Sequence, residues 1–415
     1  MSFPQVSSNP RAEISVADGK SIEFQFHRIE WASFVNGGYN VQITVNDKWW
    51  NTISKIATEE VLRNARRRPT PVKFLLKWND DLKTSERRGL IVELWTRGAG
   101  HGGYVTFTAI DPPSFFLNAG NADGRVFQGK ISDVIRKVVN AYAPGISVEV
   151  SETQDSSQNY WPMMRQDPKT FIRSLLDWSC SLTSKQTNWI VASRDDRIVI
   201  KEQSELEGTE FGCYRMNVDG VTDILDVEML SNSMIAPLQT QIVTSGISTV
   251  TGRLFDSNMD IDQRIVHVND ANTQDKVNVK NLDSRRGFSK PPIELRPGQG
   301  SGGTFVRSIP EFTGGEVGRQ YEDYVDGRAR RIFMSMLNTV MRIRVTVHGD
   351  PRFDDSTLLG VSTVVLSWND ADGDPYFLSG RWLVYGYHHE VTPSMWKTHL
   401  YLSRLDWDAT ANRKV

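Results

Sequence analysis

The stretch 378–405, LSGRWLVYGYHHEVTPSMWKTHLYLSRL, constrains the fold of this chain more than any other. It reads as two strands joined by a tight turn around Pro393. Successive side chains of a strand point to opposite faces. Along 381–391 one face carries Trp382, Val384 and Gly386, and the other carries Leu383, Tyr385, Tyr387 and Val391. A sheet with one wet face alternates apolar with polar residues. Here large apolar groups stand on both faces, so the outer one needs a cover, either another domain of the same chain or a neighbouring subunit. Tyrosine and tryptophan are enriched where proteins meet. Leu383, Tyr385, Tyr387 and, on the next strand, Tyr401 are therefore the candidate subunit or domain interface.

The same strand grammar recurs at both ends of the 415 residues. IEFQFHR (22–28), NVQITVN (40–46), VKFLLKW (72–78), LIVELWT (90–96) and YVTFTAI (104–110) are short, rich in β-branched and aromatic residues, and bounded by turn residues. One helical pattern, 48–64, lies among them. Together they predict a first small antiparallel β-barrel over 1–112. DPPS (111–114) breaks the pattern. ISDVIRKVVNAY (131–142) then places Ile131, Val134, Ile135, Val138 and Tyr142 on one helix stripe, with Ser132 as the expected N-cap. DPKTFIRSLLDWSCSL (167–182) predicts a second helix, capped by Asp167 with Pro168 in its first turn. NWIVASRDDRIVIKE (188–202) predicts a hairpin turning at Arg194-Asp195-Asp196. Residues 113–205 thus read as an inserted α+β domain. Strand patterns at 223–230 and 239–245 join four more, at 341–349, 362–368, 381–391 and 396–405, as a second barrel over 206–250 and 338–415. Residues 251–337 interrupt it with an irregular insertion, comprising a Gly/Pro-rich loop at 285–318 and a helix at 319–337. The expected fold class is α+β, mainly β: two antiparallel barrels with one α+β insert and one irregular insertion.

Chemistry is sparse. His388-His389-Glu390 has metal-ligand residue types, but consecutive positions in a strand put only His388 and Glu390 on one face, with His399 available across the hairpin. A zinc protease instead needs two histidines a helical turn apart. GAGHGG (98–103) and GQGSGG (298–303) lack the following helix and lysine of a phosphate loop, and read as flexible connections. The acidic runs WNDD, GDPRFDD and WNDADGD fall at strand ends and match neither a calcium loop nor a paired glycosidase site. No catalytic residue, metal or cofactor is expected. A net charge of −2 argues against a dedicated nucleic-acid binder, and the Arg66–Arg68 and Arg328–Arg331 clusters read as solvated helix faces. Two cysteines, Cys180 and Cys213, supply neither a disulfide framework nor a zinc set. The first residues carry no signal pattern and no apolar run reaches 18 residues, so the expectation is no membrane insertion, and action or assembly in a reducing cytoplasm.

Three pieces carry a resemblance. They are the middle unit from GKISDVIRKVVNAYAPGISVEV to WIVASRDDRIVIKE, then GDP (349–351) with LLGVSTVVLSW, and the closing strands with Gly380, Trp382, Leu383, Val384, His388, Thr398, Leu400, Leu402 and Arg404. The chain resembles the baseplate hub proteins of contractile phage tails, of the T-even and Mu-like kind, and the hub part of type VI secretion spike proteins. The likeness spans about 110–410; the N-terminal strands match in pattern only. It implies a homotrimer whose six barrels adapt a hexameric tail tube to a three-fold central spike. It also implies contacts with other baseplate proteins and tape-measure protein, and a bore that passes DNA without specific binding. The place would be the virion tail baseplate, assembled in the host cytoplasm, with no catalysis. The rivals are another β-rich tail protein, such as a distal tail protein or spike adaptor, and a carbohydrate-binding or carbohydrate-hydrolysing protein suggested by twelve tryptophans.

Overall fold

The structure, a computed structural model, describes most of residues 10–230 and 342–404, together with 248–250 and 263–265; outside it lie 1–9, 49–68, 231–247, 251–262, 266–341, 405–415 and a few short stretches at 17–21, 24–25, 79–81, 99–101, 121–123, 156, 165, 370–372, 374–375 and 377. The expected helices at 48–64 (from Trp49 onward) and 319–337, the strand at 239–245 and the 285–318 loop fall outside the described residues.

The protein is mainly β. Its N-terminal strands are β1 (Arg11–Val16), β2 (Ile22–Glu23), β3 (Phe26–Phe34), β4 (Tyr39–Lys48), β5 (Thr70–Lys77), β6 (Arg87–Gly98) and β7 (Gly102–Ile110). An α+β unit follows, with α1 (Pro112–Ala119), β8 (Val126–Gln128), α2 (Ile131–Tyr142), β9 (Ser147–Val150), β10 (Tyr160–Pro162), α3 (Pro168–Asp177), β11 (Trp189–Arg194) and β12 (Arg197–Glu202). The remaining strands are β13 (Glu210–Met216), β14 (Ile224–Met229), the short pair β15 (Ser248–Val250) and β16 (Gln263–Ile265), β17 (Arg342–His348), β18 (Thr363–Trp368), β19 (Gly380–Thr392) and β20 (Met395–Arg404).

The two strand sets expected as separate barrels form one sheet of thirteen strands. Its order is β14-β17-β20-β19-β3-β4-β7-β6-β5-β1-β2, with β18 on β19 and β13 parallel to β18. Among the described residues no barrel closes. The reason lies in β19. One of its edges pairs β20 along almost its whole length. On the other edge, Gly380–Leu383 pair β18 of its own half, while Gly386–Val391 pair β3 of the N-terminal half. A bulge between Val384 and Gly386 separates the two partnerships. Bulges bend a strand and increase its twist, which lets one strand serve two neighbours.

One face of the whole sheet buries a common core. Ile14, Val41, Phe74 and Phe107 from the N-terminal half meet Val345, Trp382, Trp396 and Leu400 from the C-terminal half. Edge-to-face rings cross the seam: Phe74 to Trp31 at 5.0 Å, Trp31 to His389 at 5.9 Å and His389 to Trp396 at 5.4 Å. Such pairs each add about 0.5–1.5 kcal/mol beyond area burial. In the GDP motif, a Cβ at Gly349 would lie 2.3 Å from the Trp396 ring, so only glycine lets the chain turn there. The neighbouring Asp350 is buried and binds the Tyr214 hydroxyl and the Arg352 guanidinium. The expected turn chemistry of GDPRFDD is thereby structural.

The α+β unit has its own core of Ile131, Val134, Ile135, Val138, Phe171, Ile172, Leu175 and Ile200. Asp167 caps α3 as expected, accepting from Thr170 N–H at 2.8 Å. The cap of α2 differs from expectation. Ser132 sits inside the helix, and distant side chains serve its first amides: Asp155 accepts from Ile131 N–H at 2.7 Å and Thr153 from Ser132 N–H at 3.1 Å. DPPS starts the short helix α1, with Asp111 as its cap, rather than only ending a strand. The hairpin β11–β12 turns at Asp195-Asp196, with Asp195 in the left-handed region at φ 53°.

His389 gives this fold a pH signature. It is fully buried, and its Nδ1 accepts from Trp396 Nε1–H at 3.2 Å. Burial pushes its pKa down to about 3. The unfolded chain, with an ordinary value near 6.5, binds the proton first. Stability should therefore be complete above about pH 6.5 and fall as pH drops toward 3, by roughly 1.4 kcal/mol per unit from this group. Urea titrations from pH 7 to 4 should show that fall, and His389→Gln should flatten it; equal slopes would contradict the assignment.

Candidate subunit-contact face

The bulge decides which residues reach the outer face. Before it, even-numbered residues of β19 point into the core; after it, odd-numbered ones do. Trp382 and Val384 are buried, and so are Tyr387, His389 and Val391. Tyr387 therefore leaves the face it was expected to share with Leu383 and Tyr385. It is fully buried, donating its hydroxyl to the Asp354 carbonyl at 3.1 Å. Its ring fills the shared core of the two sheet halves and does not reach the surface. Gly386, taken from the sequence as an inward position, faces outward and sits directly beneath Phe34: a Cβ there would approach the Phe34 ring to 2.3 Å.

The outer face is then an aromatic patch beside a polar one. Phe34, at 40% exposure, meets Tyr401 edge-on at 4.9 Å; Tyr385 lies 6.2 Å from Tyr401, and the Arg342 guanidinium stacks 4.9 Å above the Tyr385 ring. Sequence reasoning missed Phe34 and Arg342; β3 and β17 are brought to β19 and β20 only by long-range pairing. Part of the cover predicted for this face comes from the same chain. Leu383 is buried, and a cleft of about 420 Å³ separates Tyr385 and Leu383 from Trp189, Ile190 and Gln203 of the α+β unit. Tyr385, Tyr401 and Phe34 stay half-buried or exposed.

Further along the seam the outer face is charged. Glu30 and Glu390 stand opposite each other in the β3–β19 register, where like charges repel. Arg28 resolves this by binding Glu30 at 2.6 Å and Glu390 at 3.1 Å. His388 and His399 face each other with ring centres 5.4 Å apart, and His399 Nε2 lies 3.4 Å from Glu390. Burial holds both imidazoles below their ordinary pKa. Among the described residues, no group of three or more His, Cys, Asp or Glu is arranged to hold a metal ion. The Glu30 and Glu390 carboxylates are instead engaged by Arg28. Of the acidic runs, Asp350 and Asp355 pair with Arg352 and Arg194. No helix among the described residues is long and apolar enough to cross a membrane.

Comparison with known proteins gives no matching family model and no matching curated protein. Solved structures do match, over nearly the whole chain. The 43 kDa tail protein of prophage MuSo2 from Shewanella oneidensis is 10% identical with a TM-score of 0.55, over 96% of this chain and 99% of its own. A tail protein from Neisseria meningitidis MC58 is also 10% identical, with a TM-score of 0.54 and the same coverage. The chain has the fold of these phage tail proteins. A type VI secretion component of E. coli, described as structurally similar to the T4 tail proteins gp27 and gp5, is 10% identical with a TM-score of 0.50, over 95% of this chain and 77% of its own.

The outer rings and the inner one should separate in a stability assay. Phe34→Ala and Tyr401→Ala each remove a partly exposed ring contact and should cost about 1 kcal/mol in the isolated chain. Tyr387→Ala empties a core site and should cost about 3–5 kcal/mol. Urea unfolding monitored by tryptophan fluorescence checks the order.

Proposed function

We propose that this chain is the structural baseplate hub of a contractile phage tail. Three copies would form a ring joining the hexameric tail tube to the three-fold central spike, and line the channel for DNA. The observation that carries this reading is the near end-to-end fold match with phage tail proteins, which includes the α+β unit as well as the sheet. A distal tail protein or spike adaptor would need the sheet but not that unit. The half-covered ring patch of Phe34, Tyr385 and Tyr401 supplies the surface for a second copy, since aromatic residues dominate such contacts. Leu383 then contributes from beneath, at the boundary with the α+β unit.

The role is mechanical in this reading: shape and symmetry act, and no step of catalysis is assigned. The sugar-binding alternative loses part of its support, because four of the twelve tryptophans, Trp31, Trp189, Trp382 and Trp396, are buried core residues, although Trp95 is exposed. Its partners would be the tube protein, the spike, other baseplate proteins and tape-measure protein. DNA would pass without specific binding, as near-neutral charge favours weak attraction to phosphates. The virion tail is its place, with assembly in the host cytoplasm.

Light scattering should give a mass of three times 47.0 kDa, for the chain alone or once mixed with its spike. Tyr385→Ser combined with Tyr401→Ser should return it to the monomer. A wild-type monomer under both conditions would contradict the proposal.

A further inference from the structure

The α+β unit and the sheet keep separate cores. What joins them is mostly polar and centres on the tip of the β11–β12 hairpin. Asp195 Oδ1 accepts from Arg88 N–H at 2.7 Å and from the Tyr39 hydroxyl at 3.3 Å. Its other oxygen lies 3.6 Å from Arg87 Nη1, an ion pair without a hydrogen bond. Arg87 is 1% exposed. Its remaining nitrogens bind the Asp354 carbonyl at 2.7 and 3.2 Å, and Asp354 Oδ1 lies 3.5 Å away. One buried guanidinium thus links the N-terminal strands, the C-terminal half and the α+β unit. Beside it, Arg194 pairs with Asp355 at 2.6 Å, Ser193 donates to Asp111 at 2.6 Å, and Asn36 accepts from Val191 N–H at 2.8 Å. Ile190, near Gly360 and Val35, adds an apolar contact at this edge, and Ala192 and Val199 of the same hairpin are also buried outside the unit's own core.

We infer that the α+β unit is a hinged cover over the outer face of β19, latched by the Arg194-Asp195 tip in the socket around Arg87. Three observations support a cover that opens as a body. The two cores are separate clusters of buried residues. The groups at the hairpin tip are polar, as in domain interfaces that permit relative motion. The cleft of about 420 Å³ already runs between the unit and Leu383 and Tyr385, so the covered surface is a boundary and not a packed core. Opening would turn Leu383 from a buried to an accessible side chain and widen the cleft. Asp195 is the strongest part of the latch, because without it the Arg87 charge stays buried with one carboxylate fewer. This inference concerns the single chain and does not depend on the tail assignment.

Accessibility of position 383 tests it. Leu383→Cys, in a Cys213→Ser background that removes the exposed native thiol, is labelled with a maleimide while amide exchange is followed in β4. Adding Asp195→Asn should speed labelling by about tenfold or more, with β4 exchange unchanged. Arg194→Ala, which leaves Arg87 paired, should produce a smaller increase and guards against a variant that fails to fold. Unchanged labelling in both would overturn the cover. So would an increase in β4 exchange that matches the labelling, because the junction would then be part of the global fold.

Discussion

The structure depends on β19 being shared. A strand has two edges, and β19 gives one to β20 and divides the other between β18 and β3. The extra residue at Tyr385 makes the division possible, because the bend of a bulge re-aims the strand. From that single constraint follow the continuous sheet, the common aromatic core and the arrangement of the outer face. It also places Trp31, Tyr387 and His389 in one fully buried group. Without the β3–β19 pairing, the two halves would each expose a long hydrophobic edge, which folded proteins avoid.

Local signals in the sequence were readable and nonlocal ones were not. The stripes of α2 and α3, the Asp167-Pro168 start and the Asp195-Asp196 turn are properties of a few neighbouring residues, and the structure has all of them. Asp111-Pro112 carries the same start signal as Asp167-Pro168 but reads as a strand breaker, since it directly follows β7. The caps of α2 come from Thr153 and Asp155, about twenty residues downstream, where no spacing rule points. The joining of two expected barrels rests on β3 meeting β19 from the opposite end of the chain, which periodicity does not encode.

The candidate face shows the same division. That β19 is apolar on both sides is plain from its residues, and in the structure Leu383 is buried beside the α+β unit. The assignment of Tyr387 failed because one bulge inverts the alternation for every residue beyond it. Gly386 was the available signal, since an isolated glycine within a strand pattern marks a bulge or a close approach. Phe34 joins the patch through pairing, and its place above Gly386 explains why that position lacks a side chain.

The apolar outer side therefore has two kinds of neighbour in this account, the chain's own α+β unit over Leu383 and sister copies over Phe34, Tyr385 and Tyr401. The first is visible within one chain; the second is what the proposed trimer would supply. An electron cryo-microscopy reconstruction of the particle proposed to carry this protein tests it most directly. The account predicts three copies around the axis between tube and spike, with protein density packed on Tyr385 and Tyr401. A single copy, or three copies with those rings facing solvent, would contradict it.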